Sequence, residues 1–246
     1  MSTPLVLDLT KARDALVLDL SKAGVLEIPT METRLALDFS TSMSEEYEGG
    51  LVQRTIDRFL AAALTFDDNE TLDVGFFSST WKEAPSATKS DLGKYLAKHG
   101  MTRPGGGTHY GPIIQNFESR QVQSASAVTE PVKKAGFLSR IFGGAQAPAP
   151  TPTSEGTSPY RAYVGVITDG DNMDPAEFER QMAKTSGDTF FQFFAIGNQV
   201  NLNYLTRIAA NYPHMHFIHI PQPTLLSDED FFELLANEKF ASWING

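Results

Sequence analysis

The sequence predicts an α/β fold in which a doubly wound, mostly parallel sheet is flanked by helices. From residue 33 onward, apolar strand-like segments alternate with amphipathic helix-like segments, the pattern of repeated strand–helix units. The segment "FFQFFAIG" (190–197) is apolar on both faces, as expected of a strand covered by helices on both sides. With 246 residues, 41% of them hydrophobic, the chain can bury one sizeable core.

Composition narrows the function classes. The formal net charge of −10 argues against a nucleic-acid partner, because such proteins present a basic face. The chain has no cysteine, which excludes disulfides and thiolate metal sites and fits a reducing compartment. Neither a leader-like start nor a run of roughly 18 apolar residues occurs. We therefore expect a cytoplasmic protein without membrane contact.

The first 29 residues are predicted to form a separate pair of strands. Two near-copies, "LVLDLTKA" (5–12) and "LVLDLSKA" (16–23), alternate apolar and polar residues at period two. This alternation is typical of strands, and the intervening "RD" would join them as a short β-hairpin. Residues 30–246 would then form the main domain.

The main domain follows in regular order. The sequence predicts strands at 33–39, 72–78, 160–168, 190–197 and 214–220, and helices at 51–64, 89–100, 175–182, 201–212 and 227–240. Asp174 and Glu177 are predicted to form a capping box around Pro175 at the first helical position. Ser227 and Asp230 are predicted to cap the last helix in the same way.

One segment interrupts this order. Residues 130–159 contain "GGAQAPAPTPTSEGTSP", whose composition cannot bury enough apolar surface to order itself, so we predict a flexible insertion. Within it, 133–142 combines four large apolar residues with three basic ones. We interpret 133–142 as a docking segment for a second protein partner, with a passive loop as the alternative.

Polar residues follow three elements of the main domain. "DFSTS" (38–42) ends the first strand, "RPGGGTHYG" (103–111) precedes a helix, and "TDGDNMD" (168–174) ends the 160–168 strand. In open α/β sheets such segments meet outside the carboxyl ends of the strands. Together they offer oxygen donors from five residues: Asp38, Ser40, Ser42, Thr108 and Asp169. Hard oxygen ligands suit Mg²⁺ or Mn²⁺, although each motif alone would be read as turn and cap chemistry.

Asp-x-Ser-x-Ser, a distant Thr and a later Asp-Gly together resemble the metal-ion-dependent adhesion site of von Willebrand factor type A (vWA) domains, which are Rossmann-like. The resemblance is greatest to bacterial intracellular members, including those linked to tellurium resistance and stress. It implies that Ser40, Ser42 and Thr108 coordinate the metal, while Asp38 and Asp169 hold metal-bound waters. It also implies a protein partner that completes the metal shell with an Asp or Glu. His109 departs from the acidic residue expected there.

Two other interpretations remain as alternatives, and a third, a zinc site, is less favoured. A haloacid-dehalogenase-like phosphotransferase also ends its first strand in Asp, but it needs a second acid where Ser40 stands. An assembly subunit with a vestigial metal site would have the same sequence features. His214, His216 and His219 could suggest zinc, but in a strand His219 faces away from the other two, so we interpret them as ordinary strand positions. We expect no enzymatic activity, because no general base or nucleophile is placed.

Overall fold

A computed structural model describes residues 7–118 and 161–246. Their six strands form one sheet in the order β3-β2-β1-β4-β5-β6, in which only β3 is antiparallel to its neighbour. The strands are β1 Glu32–Asp38, β2 Asp73–Phe77, β3 Trp81–Glu83, β4 Ala162–Thr168, β5 Thr189–Ile196 and β6 Met215–Ile220. The predicted doubly wound, mostly parallel sheet is confirmed.

The helices lie in two layers, one on each face of the sheet. They are α1 Leu9–Lys22, α2 Ser44–Glu48, α3 Leu51–Phe66, α4 Tyr95–His99, α5 (111–118), α6 Pro175–Met182, α7 Leu202–Asn211, α8 Asp228–Leu235 and α9 Glu238–Asn245. Helices α1, α3, α8 and α9 share one buried cluster with Leu35 and Leu37, whereas α5, α6 and α7 share another with Ala36. Successive side chains of β1 point to opposite faces of the sheet, so the strand contributes to two separate cores.

The strand order creates a switch point beside β1. The chain builds β2 and β3 on one side of β1, then crosses to build β4, β5 and β6 on the other. The loops that follow β1 and β4 therefore leave the sheet in diverging directions and open a crevice between them. The residues that end these two strands, Asp38 and Thr168, are positioned at that crevice.

The predicted N-terminal β-hairpin is wrong, because residues 9–22 form helix α1. The two near-copies are offset by 11 residues, which is close to three helical turns, so their apolar positions fall on one helix face. Ala12, Leu16 and Leu20 are the buried residues of this face. Asp8 caps the helix by accepting the backbone N–H groups of Thr10 and Lys11 at 3.0 and 3.1 Å.

The helix predicted over 89–100 is divided. A single 3₁₀ turn at Lys89–Asp91 is followed by Gly93 at φ +70°, and α4 begins only at Tyr95. The Ser227 half of the predicted cap of α8 is confirmed, since the Ser227 hydroxyl accepts the Asp230 N–H at 3.0 Å, while the Asp230 carboxylate accepts that hydroxyl at 2.7 Å. The insertion at 130–159, with the docking segment 133–142, lies outside the described residues. Within 7–118 and 161–246, no helix is long and apolar enough to cross a membrane.

Candidate functional site

Asp38 lies at the end of β1 and is fully buried. Its Oδ1 accepts the backbone N–H of Ser40 at 2.9 Å, and its Oδ2 accepts the Thr168 hydroxyl at 2.7 Å. The Tyr47 hydroxyl donates to the Asp38 carbonyl at 3.0 Å. Burial, reinforced by the charge of Asp169, raises the pKa of the Asp38 carboxyl to about 6. This carboxyl is a fixed anchor for the loop that follows it.

A chain of side-chain hydrogen bonds connects the loop after β1 to the loop after β4. The hydroxyl oxygens of Ser40 and Ser42 are 3.0 Å apart, and Ser42 donates to Asp169 Oδ1 at 2.8 Å. Ser40 and Asp169 are buried, whereas Ser42 is exposed. Burial raises the pKa of the Asp169 carboxyl, while the Ser42 hydrogen bond opposes that shift. Three of the predicted site residues, Ser40, Ser42 and Asp169, are therefore linked side chain to side chain.

The glycine loop brings Thr108 to the same place. Its Gly105 N–H donates to the Phe39 carbonyl at 2.8 Å, and its Gly106 carbonyl accepts the Thr41 N–H at 3.2 Å. Gly106 adopts φ +101°, which side-chain-bearing residues rarely tolerate. The loop is thus attached to the residues that follow β1, and Thr108 is buried beside them.

Gly170 shows how closely the hydroxyls approach. A Cβ at Gly170 would lie 3.0 Å from the Thr108 hydroxyl oxygen and 3.8 Å from that of Ser42. Both hydroxyls therefore border one point, and a larger residue at 170 would crowd it. The structure thus brings all five predicted residues, Asp38, Ser40, Ser42, Thr108 and Asp169, to one crevice.

The predicted capping box at Asp174 and Glu177 is wrong. The Asp174 carboxylate makes no hydrogen bond to the start of α6. It accepts instead the backbone N–H groups of Tyr110 at 2.7 Å and Gly111 at 3.1 Å, so it caps α5. The Glu177 side chain pairs with Arg180 on its own helix. Spatial proximity, which sequence separation does not reveal, decides which helix this aspartate caps.

His109, His214 and His219 each lie within hydrogen-bond distance of another residue. The His109 ring lies 3.2 Å from the Ser79 carbonyl. His214 Nε2 is 2.6 Å from the Thr185 hydroxyl, and His219 Nε2 is 2.7 Å from the Gly197 carbonyl. Within 7–118 and 161–246, no group of three or more His, Asp or Glu side chains could hold a metal. The candidate crevice has only two carboxylates and otherwise hydroxyls, so it is a different kind of donor set.

Two residues of the site were missed from the sequence. Thr168 is buried at the end of β4 and supports Asp38, while also lying 3.3 Å from the Tyr110 hydroxyl. A single polar residue in an otherwise apolar strand was the available signal. The role of Tyr47 could not be predicted from the sequence, because only the packing of α2 against β1 brings its hydroxyl to the Asp38 carbonyl.

The fold and the site define a class: an open α/β domain that collects oxygen donors at the switch point of its sheet. Residues 30–132 match the family model vWA-TerF-like, described as "vWA found in TerF C terminus". The structure is similar to "von Willebrand factor type A from Catenulispora acidiphila", with a TM-score of 0.55 at 15% identity. The resemblance to vWA domains is therefore confirmed, and the TerF-like match agrees with the resemblance to members linked to tellurium resistance.

Two further comparisons gave similar proteins. The "Uncharacterized protein YcbR" of Bacillus subtilis (strain 168) is 25% identical over 221 residues, which cover 87% of this chain and 78% of that protein. The mussel-byssus proximal thread matrix protein 1, "with zinc occupied MIDAS motif", has a TM-score of 0.47 at 15% identity and is too distant to bear on this chain. The Catenulispora likeness shows the fold alone; it covers 85% of this chain, which spans 43% of that chain's length.

Proposed function

We propose that this protein is a metal-dependent protein-interaction module, in which Mg²⁺ or Mn²⁺ lies among Asp38, Ser40, Ser42, Thr108 and Asp169. A protein partner would complete the metal shell with an Asp or Glu. We further propose that the module works in the bacterial cytoplasm, in a stress or tellurium-resistance system. The observation that carries the proposal is the convergence of three loops on one crevice at the carboxyl edge of the sheet.

The donor set fits such a cation. All five side chains offer oxygen, the ligand that Mg²⁺ and Mn²⁺ prefer. A Cβ at Gly170 would crowd the point bordered by two of the hydroxyls, so the glycine keeps that point open. Only two carboxylates stand among the donors, so the positive charge would be incompletely neutralised. A bound cation would therefore supply an electrophilic centre for a partner's carboxylate.

The chain's own residues divide into donors and supports. Thr168 and the Ser40 N–H engage both oxygens of Asp38, so this carboxylate holds the loop of Ser40 and Ser42 in place. Asp169 accepts from Ser42 and orients that hydroxyl. The glycine loop, attached at Phe39 and Thr41, holds Thr108 against Gly170. The loops thus arrive with their oxygens already positioned, which lowers the cost of ordering them on binding.

The phosphotransferase alternative is not supported by this geometry. A nucleophilic carboxylate must reach its substrate, but Asp38 is fully buried and both of its oxygens already accept hydrogen bonds. Ser40, two residues later, cannot serve as the second acid. These features favour binding without catalysis.

Titration calorimetry with Mg²⁺ and Mn²⁺ on the full chain tests the metal site. We expect modest affinity in the wild type, since the partner's carboxylate is missing, and no measurable binding in Asp38→Ala or Thr108→Ala. The matched controls are Asp171→Ala and Thr102→Ala, both exposed and outside the donor set, which should bind like the wild type. Identical metal binding in the wild type and Asp38→Ala would contradict the assignment.

A pull-down tests the partner requirement. We expect a captured protein to be retained with Mg²⁺ and released by a chelator, and its substitution from acid to amide at the contact to have the same effect as the chelator. A verified complex that survives chelation does not use this crevice, and it would favour an assembly subunit with a vestigial site.

A further inference from the structure

Met173 is a large apolar side chain that remains 65% exposed beside the crevice. It belongs to the loop between Asp169 and α6, and it rests on the glycine loop. Its backbone N–H donates to the Thr108 carbonyl at 2.8 Å, and its Sδ lies 3.5 Å from the Thr108 nitrogen. A Cβ at Gly107 would be only 2.7 Å from that sulfur, so the glycine makes room for the methionine. Met173 is therefore held in place next to a proposed metal donor.

In the free protein the Met173 side chain does not gain the free energy that burial of its apolar surface would give. Isolated exposed apolar side chains are common on protein surfaces and need no explanation. Met173 differs because both its backbone and its sulfur are bonded to the residue that carries a proposed metal donor. A partner that approached the crevice over Thr108 would meet this side chain. The position is therefore continuous with the proposed partner surface.

The charges of the surrounding loops restrict the partner further. Apart from the two proposed metal donors Asp38 and Asp169, residues 38–47, 102–111 and 168–174 contain four carboxylates and one arginine, Arg103: the acids are Glu45, Glu46, Asp171 and Asp174. Glu45 and Asp171 are exposed. A partner with several adjacent acids would gain one metal contact but would place its other carboxylates among these like charges. A single acid avoids that repulsion.

We propose that Met173 forms the apolar half of the partner site, and that the partner presents one isolated Asp or Glu next to a large apolar side chain. This inference rests on the proposed function, because it assumes that a carboxylate enters the crevice. The apolar neighbour packs on Met173 while the carboxylate reaches the metal. Acidic runs are rejected by the carboxylates of the three loops.

The test uses displayed libraries of short linear peptides selected on the full chain. One library has a fixed central Glu with random flanks, and a control library has a fixed Gln. With Mg²⁺, we expect the Glu library to yield peptides with Leu, Ile, Phe or Met beside the Glu and without further acids. A selected peptide should bind Met173→Gln about tenfold more weakly, since burial of the methionine is lost. Leu26→Gln, which alters a 90% exposed side chain ahead of β1, should bind it like the wild type.

The outcomes separate the two proposals. If peptides require Mg²⁺ and Glu but show no apolar preference, show acidic runs, or bind Met173→Gln equally well, the inference about Met173 is wrong and the metal site stands. If selection needs neither Mg²⁺ nor Glu, or yields nothing, the proposed function and this inference both fail. Thermal unfolding of both variants confirms that any loss comes from the surface and not from the fold.

Discussion

Charged side chains meet opposite kinds of backbone group at the two ends of the parallel sheet. At the carboxyl end, where helices begin, Asp174 receives two N–H groups from the start of α5, and Asp38 and Asp169 lie beside it in the crevice. At the amino end, two arginines meet backbone carbonyls instead. This arrangement follows from helix polarity, since helix starts leave free N–H groups and helix ends leave free carbonyls.

The arginines of the amino end bind the carbonyl groups of neighbouring helices. Arg161 donates to the carbonyls of Trp243 and Ile244 in the last turn of α9, and its guanidinium lies 3.9 Å from the centre of the Trp243 ring. Arg34 is almost fully buried, pairs with Glu32, and donates to the Phe117 carbonyl at 2.9 Å. These cations join helices to the sheet and offer little to a ligand.

The carboxyl end keeps part of its polar surface available. Ser42 is exposed although it belongs to the hydrogen-bonded chain, and Asp169 has only one of its oxygens engaged by that chain. If the proposed metal site is right, the charges at the amino end contribute to stability alone, whereas Asp38 and Asp169 at the carboxyl end also contribute to binding. Substitutions at the amino end should therefore change stability without changing metal binding, whereas substitutions at the carboxyl end that affect stability need not leave metal binding intact.

The largest expected effect is at the amino end. Arg34→Met should lower the free energy of unfolding by about 3 kcal/mol, because it leaves the Phe117 carbonyl and the Glu32 carboxylate without their cation. Urea unfolding measures this loss, and Arg13→Met, at an exposed arginine of α1, is the matched control. Mg²⁺ affinity should be unchanged; a loss of metal binding in the folded variant would show that the two ends are not independent.

Asp38→Asn should change how stability depends on pH. The Asp38 pKa rises on folding from its ordinary 3.8 to about 6, so the folded state holds its proton more tightly. Its stability contribution is complete below pH 3.8 and is lost as pH rises to about 6, by roughly 2 to 3 kcal/mol. Removing this titration, Asp38→Asn should gain on the wild type across that interval. Unfolding with chelator at several pH values measures the difference, and parallel pH profiles would contradict it.

A smaller effect is expected at the start of α5. Asp174→Ala should cost about 1 kcal/mol, since two helix N–H groups lose their acceptor. Asp171→Ala, at the exposed acid three residues earlier, should cost almost nothing. Thermal unfolding of the pair measures the contrast. Equal stability of the two variants would mean that Asp174 does not support α5.

The described residues on either side of the insertion lie at the same end of the sheet. Helix α5 starts near the crevice, and its Phe117 reaches Arg34 near the start of β1, while Arg161 stands just before β4. Both described flanks, up to 118 and from 161, therefore lie at the amino end of the sheet. The described residues on either side of the insertion therefore lie away from the crevice.

Much of the fold could be predicted from the sequence because strand and helix periods are local properties. The alternating order of elements, the two-faced burial of β5 and the Ser227 cap all follow from short segments. The hairpin error has the same origin: the repeat in α1 satisfies the strand period within each copy and the helix period across both. Only packing of Leu16 and Leu20 against the first core decides between them.

The sequence by itself determined which strands end in oxygen-bearing side chains and which loop has the glycines to approach them. Chain direction in a parallel sheet then sends those ends to one edge, so the candidate site could be predicted as a set. The tertiary structure alone decided the pairings: Thr168 with Asp38, Asp174 with the start of α5, and Met173 with Thr108. These partners are about 60 or more residues apart, and a donor meets its acceptor only through the relative placement of whole elements, which no local pattern encodes.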